Sequence, residues 1–201
     1  VAMAKATEDV MIVHLAVEGD ARISYYAGQY INILLPEGGK RGFSFATAPG
    51  TGDTVELQIR RVAGGLFTTR VFESMQVGDP IEFEGPLGSF FLREDSKKPI
   101  IFVAGATGFA PVKSMVEHAF RTGLKRRMVL YWGTRTLRDM YARELCEAWA
   151  REHANFTFVP VLSAPGPAQG ISCHLAPDGL LEVDAERGGD ERVAHDPALP
   201  R

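Results

Sequence analysis

Residues 99–115 read PIIFVAGATGFAPVKSM, and the fold turns on how this stretch divides. Ile100 to Ala104 is an apolar run rich in β-branched and aromatic residues. It is too short for a comfortable helix and predicts a buried strand. Gly105-Ala106-Thr107-Gly108 predicts a turn. Beyond it, Phe109, Val112, Met115, Ala119 and Phe120 fall on one face of a helix. Pro111 sits in the first turn of that helix, where its missing N–H costs nothing. Strand, glycine turn and helix start together make a phosphate cradle. Glycine lets the backbone approach closely, and the free N–H groups of the first helical turn bind anionic oxygens. The spacing is G-x-x-G rather than G-x-G-x-x-G, so on its own the stretch serves equally as a structural turn.

Downstream the pattern continues as a strand from Met128 to Trp132, a helix over about 137–153 and a strand from Phe156 to Leu162. Tyr141, Leu145 and Trp149 form the apolar stripe of that second helix. Alternating strands and helices imply right-handed crossovers and a parallel sheet. Upstream the signal is antiparallel β. Apolar runs occur at Val10–Val17 and Tyr30–Leu35, with a short strand at Phe43–Ala46. Thr54 to Val62 alternates, with Val55, Leu57 and Ile59 on one face and Glu56, Gln58 and Arg60 on the other. Ile81 and Phe83 alternate with Glu82 and Glu84. A short helix over about 67–75 follows Gly64-Gly65. Short strands with glycine turns suggest a small barrel. The fold class is therefore an antiparallel β-barrel over 1–95, followed by a partial parallel-sheet α/β domain over 99–163. The charge run Arg93–Lys98 marks the boundary. Residues 164–201 are rich in Gly, Pro, Ala and charge and read as irregular or disordered.

Composition narrows the function. A chain of 201 residues that is 45% hydrophobic can bury a real core. A net charge of -3 and a pI near 6.0 give no support for nucleic-acid binding. No apolar run reaches membrane-spanning length and no signal-peptide core is present, so a cytoplasmic protein is expected. Two cysteines, Cys146 and Cys173, exclude a disulfide scaffold and a cysteine-ligated iron–sulfur cluster within the chain. The five histidines show no metal-ligand spacing, and no metal site is expected.

Several stretches have the chemistry of a cofactor site. In Arg41-Gly42-Phe43-Ser44, Arg41 offers forked donors to a pyrophosphate, Phe43 an aromatic face to a flat ring, and Ser44 a hydroxyl to a ring nitrogen. A surface arginine beside an ordinary strand is the plain alternative. No helix follows Ser44, as a hydrolase nucleophile elbow would require. Gly64-Gly65-Leu66-Phe67-Thr68-Thr69 opens a helix and is either a second phosphate cradle or a simple capped helix. Gly85-Pro86-Leu87-Gly88-Ser89-Phe90 reads as a tight turn. Tyr131-Trp132-Gly133-Thr134-Arg135 ends a parallel strand, where ligands of open α/β sheets bind. Thr134 and Arg135 suit a ribose or its 2′-phosphate and Tyr141 suits adenine; a solvated Arg and a core Tyr are equally compatible.

In their order along residues 10–163, these motifs resemble the ferredoxin–NADP reductase superfamily. They are most similar to its bacterial NAD(P)H-dependent flavin reductase and oxygenase-reductase branch, which includes CDP-6-deoxy-glucoseen reductase-like proteins. The resemblance implies a FAD-binding barrel followed by an NAD(P)-binding domain. It implies that Arg41 holds the flavin pyrophosphate, that Phe43 lies against the isoalloxazine and that Ser44 hydrogen-bonds N5 as the catalytic residue. Gly65 and Thr68 would bind the pyrophosphate. Gly105, Thr107, Gly108 and Pro111 would form the dinucleotide cradle, with Arg135 near the adenosine ribose. The implied activity passes hydride from NAD(P)H to FAD N5, then electrons to a 2Fe–2S ferredoxin domain or a free flavin. A plain NAD-dependent dehydrogenase would leave the barrel unexplained. The family ends a further strand in Cys-Gly-Pro beside the nicotinamide. Cys173 is followed instead by His174 and Leu175, so the second domain is expected to be incomplete at its C-terminus. The alternative is thus a flavin-binding fragment or partner-dependent electron-transfer module without NAD(P)H activity.

Overall fold

Apolar residues alternating with polar ones build the first half of the molecule as two antiparallel sheets that share one core. The computed structural model describes residues 2–19 and 22–164, together with the backbone of 172–175 and 181–184. One sheet has the order β1 (Ala2–Lys5), β2 (Val10–Ala16), β5 (Thr54–Arg60). The other has the order β4 (Lys40–Ser44), β3 (Tyr30–Leu34), β6 (Phe83–Leu87). A bridge between Phe45 and Leu57 draws the two sheets together. Ile31, Ile33, Phe45, Leu57 and Ile59 are at most 1% exposed at the centre of the barrel. Each such side chain contributes roughly 2 kcal/mol of transfer free energy. Helix α1 (Leu66–Glu73) closes one end by burying Phe67 and Val71 in the same core.

The sequence reading needs local revision here. Of the strand expected at Phe43–Ala46, only Phe43 and Ser44 are regular, as the end of β4, and Ile81 lies before β6 rather than in it. Strand β1 carries too little apolar signal to announce itself; its pairing to β2, Met3 opposite Val13, recruits it.

The second half follows the alternation of strand and helix. Strands β7 (Ile100–Gly105), β8 (Met128–Thr134) and β9 (Phe156–Leu162) pair in parallel in that order. Helices α2 (Phe109–Arg121) and α3 (Arg143–Glu152) form the crossovers. Trp132 is fully buried and stacks on Phe109 with ring centroids 4.1 Å apart. The helix expected over 137–153 is broken. A 3₁₀ turn, Leu137–Asp139, is closed by a reciprocal cap in which Asp139 accepts hydrogen bonds from the Thr136 N–H and hydroxyl. That local bond competes with helix continuation. Tyr141 consequently lies before α3 rather than within it. In the stretch read as irregular, β10 (Ser172–Leu175) pairs antiparallel with β11 (Leu181–Asp184). Apart from Ala164, the rest of that stretch lies outside the described residues.

The halves pack directly. The Leu92 N–H donates to the Ala27 carbonyl at 3.1 Å, and both side chains join the core of the second half. Gly28 is required at this junction. Its φ is +108°, and an added Cβ would lie 2.4 Å from Met115 Cε and 2.7 Å from the Phe90 carbonyl oxygen. Gly28→Ala is therefore expected to destabilise the protein by about 2 kcal/mol or more through strain and overpacking. Urea unfolding checks this; an unchanged midpoint contradicts the packing described.

Candidate functional site

The glycine turn of 105–108 and the strand at 41–44 come from different halves, yet they meet at one cleft. Arg41, Gly42 and Phe43 of β4 form one wall, and the loop Val62–Gly65 with Phe67 and Thr68 forms another. Thr107 reaches in from the second half, and Arg60 completes the lining. The cleft encloses about 490 Å³, within the range of small-molecule and cofactor sites. Arg41 is exposed, with Nη1 donating to the Lys40 carbonyl at 2.8 Å, which leaves its remaining donors free for an anion. Phe43 is half-buried against Phe67, ring centroids 5.4 Å apart, so the core fixes its orientation. Ser44 is half-buried at the end of β4, opposite Tyr30. It stands beside the residues that line the cleft rather than among them.

At the start of α1 no side chain among the described residues caps the helix, which leaves its first N–H groups without an intrahelical acceptor next to Gly65 of the cleft wall. Thr68 differs from the sequence expectation of a direct anion ligand. It is 7% exposed. Its Oγ1 accepts from the Val62 N–H at 3.1 Å and lies 3.2 Å from the carbonyls of both Val62 and Gly65. A hydroxyl has one proton, so these bonds engage the Thr68 side chain with the Val62–Gly65 loop and hold that loop in shape. Gly65 is fixed by that arrangement: a Cβ there would sit 2.7 Å from Thr68 Oγ1 and 3.1 Å from the Val62 carbonyl oxygen.

The second cradle opens toward free space. A Cβ at Gly105 or Gly108 would meet nothing within 4 Å. Between them Ala106 is held at φ +46°, the left-handed region, and its carbonyl accepts the Trp132 indole N–H at 2.9 Å. Such strain persists where surrounding structure over-determines it. Pro111 lies in the first turn of α2 as expected. A smaller recess of about 90 Å³ joins Ala106 to Arg60, Thr134, Arg135, Asp139 and Tyr141. Arg135 is exposed at the carboxyl end of β8, but the Thr134 hydroxyl is committed to the Thr136 carbonyl at 2.9 Å. Tyr141 resolves its two readings toward packing. Its ring lies edge-on to Trp132, and its hydroxyl donates to Gln58 Oε1 at 2.7 Å.

Arg60 was not singled out by sequence. It lines both the cleft and the recess, and its Nε donates to Asp9 Oδ2 at 2.9 Å. Partial burial pushes the Asp9 carboxyl up, but the Thr7 hydroxyl and Arg60 outweigh it and hold it below the usual carboxylate range. The strand alternation placed Arg60 on the polar face of β5; only the folded position of the second half shows what that face meets. A larger apolar cavity of about 630 Å³, lined by Ile33, Leu35, Phe67 and Ile81, shares Phe67 with the cleft. Among the described residues, no helix is long and apolar enough to cross a membrane, and no group of three His, Cys, Asp or Glu is placed to hold a metal ion.

Comparison with known proteins divides the chain as the fold does. Residues 1–92 match the family model described as an oxidoreductase FAD-binding domain, and residues 102–185 match that of an oxidoreductase NAD-binding domain. The CDP-6-deoxy-L-threo-D-glycero-4-hexulose-3-dehydrase reductase of Yersinia pestis is 41% identical over 78% of this chain and 46% of its own length. The phenol hydroxylase P5 protein of Acinetobacter pittii is 40% identical over 74% of this chain and 42% of its own. The crystal structure of the Amycolatopsis cytochrome P450 reductase GcoB superposes with a TM-score of 0.76 at 33% identity, over 82% of this chain and 50% of that one. The chain spans about half the length of the curated relatives it matches.

The cleft fits a flavin dinucleotide on its own geometry: an aromatic wall, an uncapped helix start and an exposed guanidinium converge on one space. Gly65→Ala is expected to displace Thr68 and weaken FAD binding about tenfold, equivalent to one lost hydrogen bond of about 1.4 kcal/mol. A fluorescence titration reads this, and unchanged affinity contradicts the role given to the loop.

Proposed function

Because the chain belongs to the ferredoxin–NADP reductase superfamily, we propose that it forms the flavin and nicotinamide part of an NAD(P)H-dependent flavoprotein reductase. One observation carries the reading: residues of both halves, Arg41, Phe43 and Gly65 from one and Thr107 from the other, line the same cleft. FAD bound there supplies the redox chemistry, taking a hydride equivalent from NAD(P)H and releasing electrons to an acceptor. The chain's own residues bind and orient. Arg41 neutralises the flavin pyrophosphate through its free donors, aided by the α1 N–H groups behind Gly65. Phe43, braced by Phe67, covers the flat ring, and Ser44 offers its hydroxyl to N5. Gly105, Thr107 and Gly108 with the start of α2 hold the nicotinamide dinucleotide, Pro111 sets the helix entry, and Arg135 meets the adenosine ribose.

Passing electrons onward fits relatives that are named as a reductase or as reductase components. We assign this chain a 2Fe–2S domain or a free flavin as acceptor, in the cytoplasm. The test is the visible spectrum of the FAD-loaded chain, recorded anaerobically before and after NADH or NADPH. Bleaching of the flavin band by either nucleotide is expected. Reduction by dithionite alone contradicts the nicotinamide half of the reading; a folded protein that takes up no flavin contradicts all of it. Arg41→Ala is expected to lower FAD affinity by about tenfold to a hundredfold, the range of a lost charge-assisted hydrogen bond.

A further inference from the structure

On the polar face of β5, Arg60 is exposed at the cleft, but Glu56 and Gln58 are buried and line neither the cleft nor the recess. Glu56 is 9% exposed and Gln58 4%. Both point out of the barrel core, where water would be expected, and both meet the second half instead. Lys113, one turn into α2, directs its ammonium at Glu56 Oε2 at 3.0 Å, the Ala46 carbonyl at 3.0 Å and Glu117 Oε1 at 3.1 Å. An ammonium has three protons, and each finds an acceptor. Glu56 Oε1 accepts from Gln58 Nε2 at 2.8 Å, and Gln58 Oε1 accepts from the Tyr141 hydroxyl at 2.7 Å. Beside Lys113, Ser114 Oγ donates to the Thr47 carbonyl at 2.6 Å.

One end of this chain of bonds lies beside β4 and the other beside the glycine turn. Ala46 lies two residues beyond Ser44, the last residue of the strand that carries Arg41 and Phe43. Tyr141 packs on Trp132, whose indole holds the Ala106 carbonyl inside the glycine turn. Burial pushes the Tyr141 hydroxyl well above the usual tyrosine range, so it remains a donor. An apolar interface would hold the halves together but let them slide. Directional bonds with every partner satisfied select one register.

We propose that Lys113, Glu56, Gln58 and Tyr141 are positioning residues: a buried polar strap that fixes the flavin strand against the dinucleotide turn, and so sets the approach of the nicotinamide to the flavin ring. The proposal deepens the reductase reading and rests on it. Transfer between two bound rings requires reacting atoms about 3–3.5 Å apart, and a misplacement of about 1 Å costs on the order of a hundredfold in rate.

Two variants of the FAD-loaded chain test it. Tyr141→Phe removes one hydroxyl and keeps the ring; Lys113→Met removes the ammonium. Stopped-flow reduction by saturating NAD(P)H gives the limiting rate, its concentration dependence gives nucleotide affinity, and hydrogen exchange reports the interface. The limiting rate is expected to fall by about tenfold to a hundredfold, with flavin content and nucleotide affinity unchanged. Exchange is expected to rise at residues 45–50 and 140–146. Where Lys113→Met fails to fold, Tyr141→Phe decides. An unchanged limiting rate in a folded variant overturns the strap, whether or not exchange rises. If the unaltered chain is not reduced by either nucleotide, the reductase reading fails by itself. Hydrogen exchange then judges the strap: a local rise supports it, and an unchanged interface overturns it.

Discussion

The ammonium of Lys113 gathers acceptors from both halves of the molecule at one point. It enters from α2, the helix whose start is the dinucleotide cradle, and reaches the Ala46 carbonyl on the segment leaving the flavin strand. Taking this charge out of water is costly, and the cost is offset only because all three protons are met, two of them by carboxylates. Glu117 shows the strain of that arrangement. Its burial pushes the carboxyl above the ordinary glutamate range despite the pull of Lys113. Such a network adds little net stability compared with apolar packing. What it adds is direction, and direction is what a site assembled from two halves requires.

The two cradles use the same physics with different supports. Each is a glycine-bearing turn at a helix start, where backbone N–H groups face outward and the helix dipole favours negative charge. At Gly65 the turn is shaped from within, by the Thr68 hydroxyl tied to the Val62 and Gly65 backbone. At Gly105–Gly108 it is shaped from outside, by the Trp132 indole drawing on the Ala106 carbonyl. Arg60, balanced by Asp9, stands where the cleft and the recess approach each other. Positive charge at the site thus comes from an arginine with free donors, Arg41, and from one already partly neutralised, Arg60.

Much of this was legible in the sequence because local chemistry dictates it. Strand, glycine turn and helix over 100–121, the alternation of β5, and the parallel unit that follows are all set by spacing. Arg41, Phe43, Gly65 and Thr107 reach the cleft, but each motif by itself also suited an ordinary strand, cap or turn, and only their order along the chain, through the family resemblance, marked them together. What sequence left hidden depends on the far side of each element. Alternation says that Glu56 and Gln58 share a face, but not that another domain covers it. The stripe of Tyr141, Leu145 and Trp149 suggests one helix, yet the Thr136–Asp139 cap and the reach of Tyr141 to Gln58 break it. The hydroxyls of Thr68 and Thr134 look available in sequence and are committed to backbone in the fold. Ala106 reads as an ordinary member of the predicted turn, and only its positive φ shows the strain it bears.

A crystal structure of the chain with FAD bound tests the whole arrangement most directly. The pyrophosphate is expected on Arg41 and the start of α1, and the ring against Phe43 with Thr107 of the other half facing it. Lys113 should remain on Ala46 and Glu56. A flavin held entirely by the first half, with Thr107 turned away and the Lys113 contacts broken, would contradict it.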